Sequence, residues 1–170
     1  MNRPITKHGY LDELKSWDSS PYVVGSRGKS CGVDCVNFVV AMLDFLDQKK
    51  PCDFTPVIKL PKLLGYSDSI SSIREIKTIV NNYEHVLVDP VNLDPDDLKP
   101  GDALAINDGV DPVHMAIVGP QRATLWHSCS SRTVRGQFGV RCASISTALH
   151  SGIYRIWRLN SVTMEFEDGI

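Results

Sequence analysis

The chain contains five cysteines and five histidines, and a few of them stand where chemistry is expected. Cys35 lies in "GVDCVNFVV", between an aspartate and a run of large apolar residues. A cysteine in the first turn of a helix meets the positive end of the macrodipole and amides with no partner inside the helix. Both favour thiolate over thiol and draw the pKa from about 8.5 toward or below neutrality. The same amides can hold the oxyanion of a tetrahedral intermediate. Such a sulfur needs an imidazole from another element. His114 opens "VHMAIVG" and His127 stands near the end of "ATLWHSC". A hairpin turn over Gly119–Arg122 would run the two stretches antiparallel and bring the histidines close to opposite each other. One would then reach the thiolate, and the other would stand behind it to orient it and select its tautomer. Singly, a helix-start cysteine is more often buried filler and a strand histidine a satisfied structural residue. The joint spacing is the signal.

These side chains must be positioned by regular elements. Leu11, Leu14 and Trp17 predict a short helix over 11–17, followed by the breaker-rich loop "SPYVVGSRGKSCG". Asp34 is a candidate cap, and from Cys35 onward Val36, Val39, Val40, Leu43 and Leu46 recur at helical spacing. Residues 51–70, with three prolines and a glycine, read as irregular; "SDSISSIREIKTIVNNY" reads as a second helix and "EHVLVDP" as a short strand. After the Pro-Gly turn in "DPDDLKPGD", the runs "ALAIND", "VHMAIVG", "ATLWHSC" and "GIYRIWRL" predict four strands. Helices first and a meander later give an α+β fold, with N-terminal helices packed on an antiparallel sheet.

Composition narrows the classes. At 170 residues, 42% hydrophobic and 22% charged, the chain suits one globular domain over 1–170. A net charge of −2 gives no general reason to seek nucleic acid or anionic lipid. The small basic clusters Arg132 with Arg135 and Arg155 with Arg158 read as solvated faces. No window approaches the roughly 18 apolar residues of a membrane span, and "MNRPITKHGYLDELKSW" has no apolar signal segment. With an odd, unpatterned cysteine set, a cytoplasmic location is expected. His114, His127, Cys129 and Cys142 are metal-ligand types, but no C-x-x-C or H-x-x-x-H spacing accompanies them, so no metal and no cofactor is expected. Cys31, four before Cys35, does not form a usual redox motif with it. Cys52, Cys129 and Cys142 read as small core residues, and His8, His85 and His150 as surface.

The stretch "PYVVGSRGKSCGVDCVNFV", then "LKPGDALAI", "PVHMAIVG" and "LWHS", resembles the NlpC/P-sixty family of papain-like cysteine peptidases. The likeness runs from about Pro21 to Leu159, and its strength is four weak motifs in the right order. It implies a papain-like fold, Cys35 as nucleophile, His114 as general base and His127 as the polar member that orients it. It also implies that Tyr22, 13 positions before Cys35 (35 − 22), sets its hydroxyl by the nucleophile and assists the oxyanion hole. Asp34 corresponds to the family's acid before the cysteine, read as the helix cap and a contact for a substrate amine. There are three departures. Val36-Asn37 replaces the usual Ser-Gly, which predicts a bulkier, more polar cleft wall. The 79 positions from Cys35 to His114 (114 − 35) exceed the usual gap and point to an insertion at about 51–90. Ala116 replaces a glycine after the histidine.

The resemblance implies acyl transfer through a thioester, with hydrolysis of an amide between D-glutamate and diaminopimelate in a peptidoglycan stem peptide. The same thioester could pass to an amine or alcohol, as in an acyltransferase or transglutaminase-like enzyme. A non-catalytic peptide-binding or phage-tail assembly component is the rival from another class. Without a signal segment, the expected routes to a wall substrate are virion association, with a phage-tail partner, or export without a cleaved signal, with a secretion-system partner. Recycling of wall peptides in the cytoplasm is a third.

Overall fold

The computed structural model describes residues 5–47, 81, 83, 85–90, 93–107, 113–129, 139–160 and 164–165. All of the expected second helix except Asn81 and Tyr83, most of the expected insertion, and Cys52, Arg132 and Arg135 lie outside the described residues.

A two-residue strand, β1 (Ile5–Thr6), leads into α1 (Lys7–Ser16). This helix begins earlier than its apolar spacing predicts, because Thr6 caps it: the hydroxyl accepts from the Gly9 amide at 3.0 Å. Tyr10 and Leu14 are its fully buried residues. A short antiparallel pair, β2 (Arg27–Gly28) and β3 (Gly32–Val33), precedes α2 (Cys35–Leu46). The helix predicted from Cys35 is thus present from that residue. Its strongly apolar composition buries Phe38, Val39, Met42 and Leu43 completely, each burial contributing roughly 1.5–3 kcal/mol.

The remaining chain builds β4 (His85–Val88), a single 3-10 turn η1 (Pro95–Asp97), β5 (Ala103–Asn107), β6 (Val113–Val118), β7 (Thr124–Cys129), β8 (Gly139–Ser144), α3 (Ile145–Ser151), β9 (Ile153–Leu159) and β10 (Met164–Glu165). Six of these strands form one antiparallel sheet in the order β4-β9-β5-β6-β7-β8. β10 instead pairs in parallel with β1. The described residues therefore form a mixed α/β fold with three α-helices and an antiparallel sheet. Two details depart from expectation. Only β5 to β8 form a meander, since β9 returns to lie between β4 and β5. α3 also follows the meander, so the helices are not all N-terminal.

Alternation along the strands divides the core in two. Ala103, Ala105, Met115, Ile117, Trp126, Val140 and Trp157 face α1 and α2. Leu104, Ile106, Ala116, Val118, Leu125 and Ile156 pack on the opposite face with Ile145 and Ala148 of α3. Helices therefore cover both faces of the sheet. Among the described residues, no helix is long and apolar enough to cross a membrane.

Candidate active site

Asp34 is the N-cap of α2, in extended backbone conformation. Its Oδ1 accepts from the Asn37 amide at 2.7 Å. Its Oδ2 accepts from the Gly25 amide at 2.7 Å and from the Asn37 side chain at 2.9 Å. The carboxylate, only 4% exposed, ties the helix start to the preceding loop; a cap of this kind contributes about 1 kcal/mol. The capping role read from the sequence is present. Val36 and Asn37 are both buried, and Asn37 braces the cap.

The residues just before Cys35 are pinned to the sheet. The Val33 amide donates to the Pro21 carbonyl at 2.8 Å, and the buried Ser128 hydroxyl of β7 donates to the Val33 carbonyl at 2.7 Å. Val140 of β8 exchanges backbone bonds with Ser19 and Ser20 at 3.1 and 2.9 Å. Gly139 has φ +115°, and any Cβ there would collide with the Ser20 carbonyl oxygen, so close approach demands a glycine. Tyr22 is half-buried on this loop, between Pro21 and Val23, both of which bond Val33 through their backbones.

Cys35 is the first residue of α2, with 3% exposure. Burial pushes its thiol up to about 12; the Met115 amide pulls the other way, the Asp34 charge raises it further, and the amides of Val36 and of Cys35 itself lower it. The anionic sulfur expected from the helix start is therefore not the form at neutral pH. The helix amides are present as expected, but removing an anion from water costs more than they return.

The pull of the Met115 amide on the thiol sets the sulfur beside β6. Val118 donates to Asp102 on the β5 side of β6, and Gly119 donates to Thr124 on the β7 side; alternation aims the Met115 amide toward β7 as well. The paired residues of β6 and β7 are Ile117 with Trp126 and Val118 with Leu125. No paired residues follow on the His114 side, and the amide of Met115, which a continued ladder would offer to β7, acts on the thiol of Cys35.

His114 precedes that amide. Its Nε2 lies 2.7 Å from Nδ1 of His127, with the rings edge to face, 4.9 Å between centroids. The pairing expected from the hairpin is corrected by two residues, since Ile117 meets Trp126 rather than Thr124. A two-residue shift preserves the face, so the histidines still meet, diagonally. Alternation gives His114 the side of Ala116 and Val118, not the α2 side of Met115. The sulfur's link to this strand runs through the Met115 amide, one residue along the chain from the His114 ring.

One member of the cluster was missed. Arg141 on β8 pairs across the strands with His127, and its Nε donates to His127 Nε2 at 3.3 Å. Burial, then His114, then Arg141 lower His127 to about 3, so its ring is neutral. The alternation in "GVRCAS" was the available signal for β8 and for an arginine sharing a face with the histidines.

Other residues divide. His8 and His150 are exposed as expected, whereas His85 is half-buried, with Nδ1 2.8 Å from the Tyr83 carbonyl. Cys142 is exposed and Cys129 half-buried, correcting their reading as core. Arg158 is no solvated residue: it bonds both oxygens of buried Asp102, at 2.8 and 2.6 Å. Among the described residues, no group of three or more His, Cys, Asp or Glu side chains gathers as a metal site. Comparison with protein-family models finds no match, and comparison with curated proteins finds none either.

Proposed function

We propose that the chain is a papain-like cysteine amidase of the NlpC/P-sixty type, acting on a peptidoglycan stem peptide between D-glutamate and diaminopimelate. The observation that carries this reading is the 2.7 Å bond between His114 and His127, immediately beside the Met115 amide, which lowers the Cys35 thiol. A half-buried histidine pair next to a helix-start cysteine is more than packing requires. Cys35 attacks the amide carbonyl as its proton passes to His114. The C–N bond breaks with His114 protonating the leaving amine, and water then attacks the thioester with His114 as base, restoring the thiol. His127 orients His114. The amides of Cys35 and Val36 are suited to the oxyanion, with the Tyr22 hydroxyl assisting.

Burial of the sulfur favours the second reading, a peptide-binding or assembly component without catalysis. Mass spectrometry of purified peptidoglycan fragments after incubation with the protein, with and without added amine, separates the cases. Free acid and amine fragments are expected, formed by the wild type and abolished in Cys35→Ala with an unchanged circular dichroism spectrum. An amine adduct in place of the acid would indicate transfer. Absence of any product, or undiminished hydrolysis by the alanine variant, would remove the proposal.

A further inference from the structure

The partners of the histidine pair determine where its protons lie. Arg141 carries donors and no acceptor. With its Nε–H on His127 Nε2 at 3.3 Å, that nitrogen must present a lone pair, so the proton of the neutral His127 ring is on Nδ1. Nδ1 is the atom 2.7 Å from His114 Nε2. The shared bond therefore runs from His127 to His114, and neutral His114 holds its own proton on Nδ1, its one remaining nitrogen.

This polarity is the reverse of what a working base needs. An orienting group accepts from the base and stabilises the imidazolium. An imidazolium at His114 would donate from Nε2 to His127 Nδ1, placing the His127 proton on Nε2, directly against the Arg141 Nε–H. The two arrangements exclude each other.

We propose that Arg141 is a positioning residue that holds the Cys35–His114–His127 cluster in a resting state, and that His114 can take the thiol proton only when Arg141 leaves His127 Nε2. The inference rests on the proposed roles of Cys35 and His114, while the proton positions rest on geometry alone. The groups acting on His127 are His114 from β6 and Arg141 from β8; Cys35, at the start of α2, feels Asp34. The high thiol pKa and the low His127 pKa both suit a neutral resting cluster.

Nitrogen-15 NMR of the histidine rings tests the tautomer in the full chain. Wild-type His127 is expected to carry its proton on Nδ1 at pH 7. Arg141→Lys, still a donor only, should keep that tautomer. Arg141→Gln, whose amide can accept, should shift it toward Nε2–H. Alkylation of Cys35 by iodoacetamide at pH 7, with exposed Cys31 as internal reference, should be about tenfold faster in Arg141→Gln, the effect of roughly one pKa unit, and unchanged in Arg141→Lys. A proton on His127 Nε2 in the wild type overturns the proposal without any variant. Equal Cys35 alkylation in the wild type and Arg141→Gln overturns it too. Neither result depends on hydrolysis, so failure of the peptidase reading would show separately, as a confirmed tautomer in a chain that cleaves no stem peptide.

Discussion

Arg158 and Arg141 stand toward opposite edges of the same sheet, on β9 and β8, and meet opposite kinds of partner. Arg158 of β9 clasps Asp102, 1% exposed, through Nε at 2.8 Å and Nη2 at 2.6 Å. The Lys99 amide adds a bond to Asp102 at 2.8 Å, and Arg158 also donates to the Asp97 carbonyl at 2.8 Å. Charge meets charge, the carboxylate is satisfied, and the turn at η1 is fastened to β9. At His127 a guanidinium of the same kind meets a neutral ring and makes its protonation harder. A cation beside a carboxylate is a structural clasp; beside an imidazole it decides which nitrogen holds the proton.

This contrast can be broken or sharpened by experiment. Asp102→Asn should cost about 3–5 kcal/mol in urea denaturation, the usual effect of removing one partner of a buried pair. A loss below about 1 kcal/mol would put Asp102 among surface pairs and end its description as a clasp. The His127 region should respond to pH instead. Its folded pKa of about 3 lies below the unfolded value of 6.5. Its contribution is therefore present above pH 6.5 and is lost as pH falls toward 3, at up to about 1.4 kcal/mol per pH unit. Stability measured from pH 6.5 to 5 should drop by about 2 kcal/mol, and His127→Gln should flatten that segment; an unchanged slope in the variant would assign the loss to other groups. A third arginine supplies the lower bound. Arg122 reaches Asp96 at 3.1 Å with side chains 84% and 66% exposed, so Arg122→Ala should change stability by less than about 0.5 kcal/mol. A larger effect would mean that exposure does not rank these three pairs.

Much of the fold was legible because local patterns carry it. The apolar spacing after Cys35 marks α2, Asp34 marks its cap, and the runs at 103–107, 113–118, 124–129 and 153–159 are strands as expected. What escaped was set by partners distant in sequence. β8 and α3 were missed because "GVRCASISTALHS" alternates weakly and contains no strong breaker between its two elements. The insertion of β9 between β4 and β5 is a matter of strand pairing, on which local composition is silent. The β6–β7 register differed by two residues, because the turn extends to Ala123, which adopts a positive φ of 56°.

The candidate site divides in the same way. By itself the sequence determined the types and order of Cys35, His114 and His127, the helix start at the cysteine, and the side-chain alternation that lets two strand histidines share a face. These are local properties of the chain, readable from periodicity. The ionisation of the sulfur, the pull of the Met115 amide on it, and the proton position that Arg141 imposes on His127 were decided only by tertiary structure. Their physical reason is common: desolvation and donor direction depend on which atoms surround a group in space, and α2, β6, β7 and β8 bring those atoms together from separate parts of the chain.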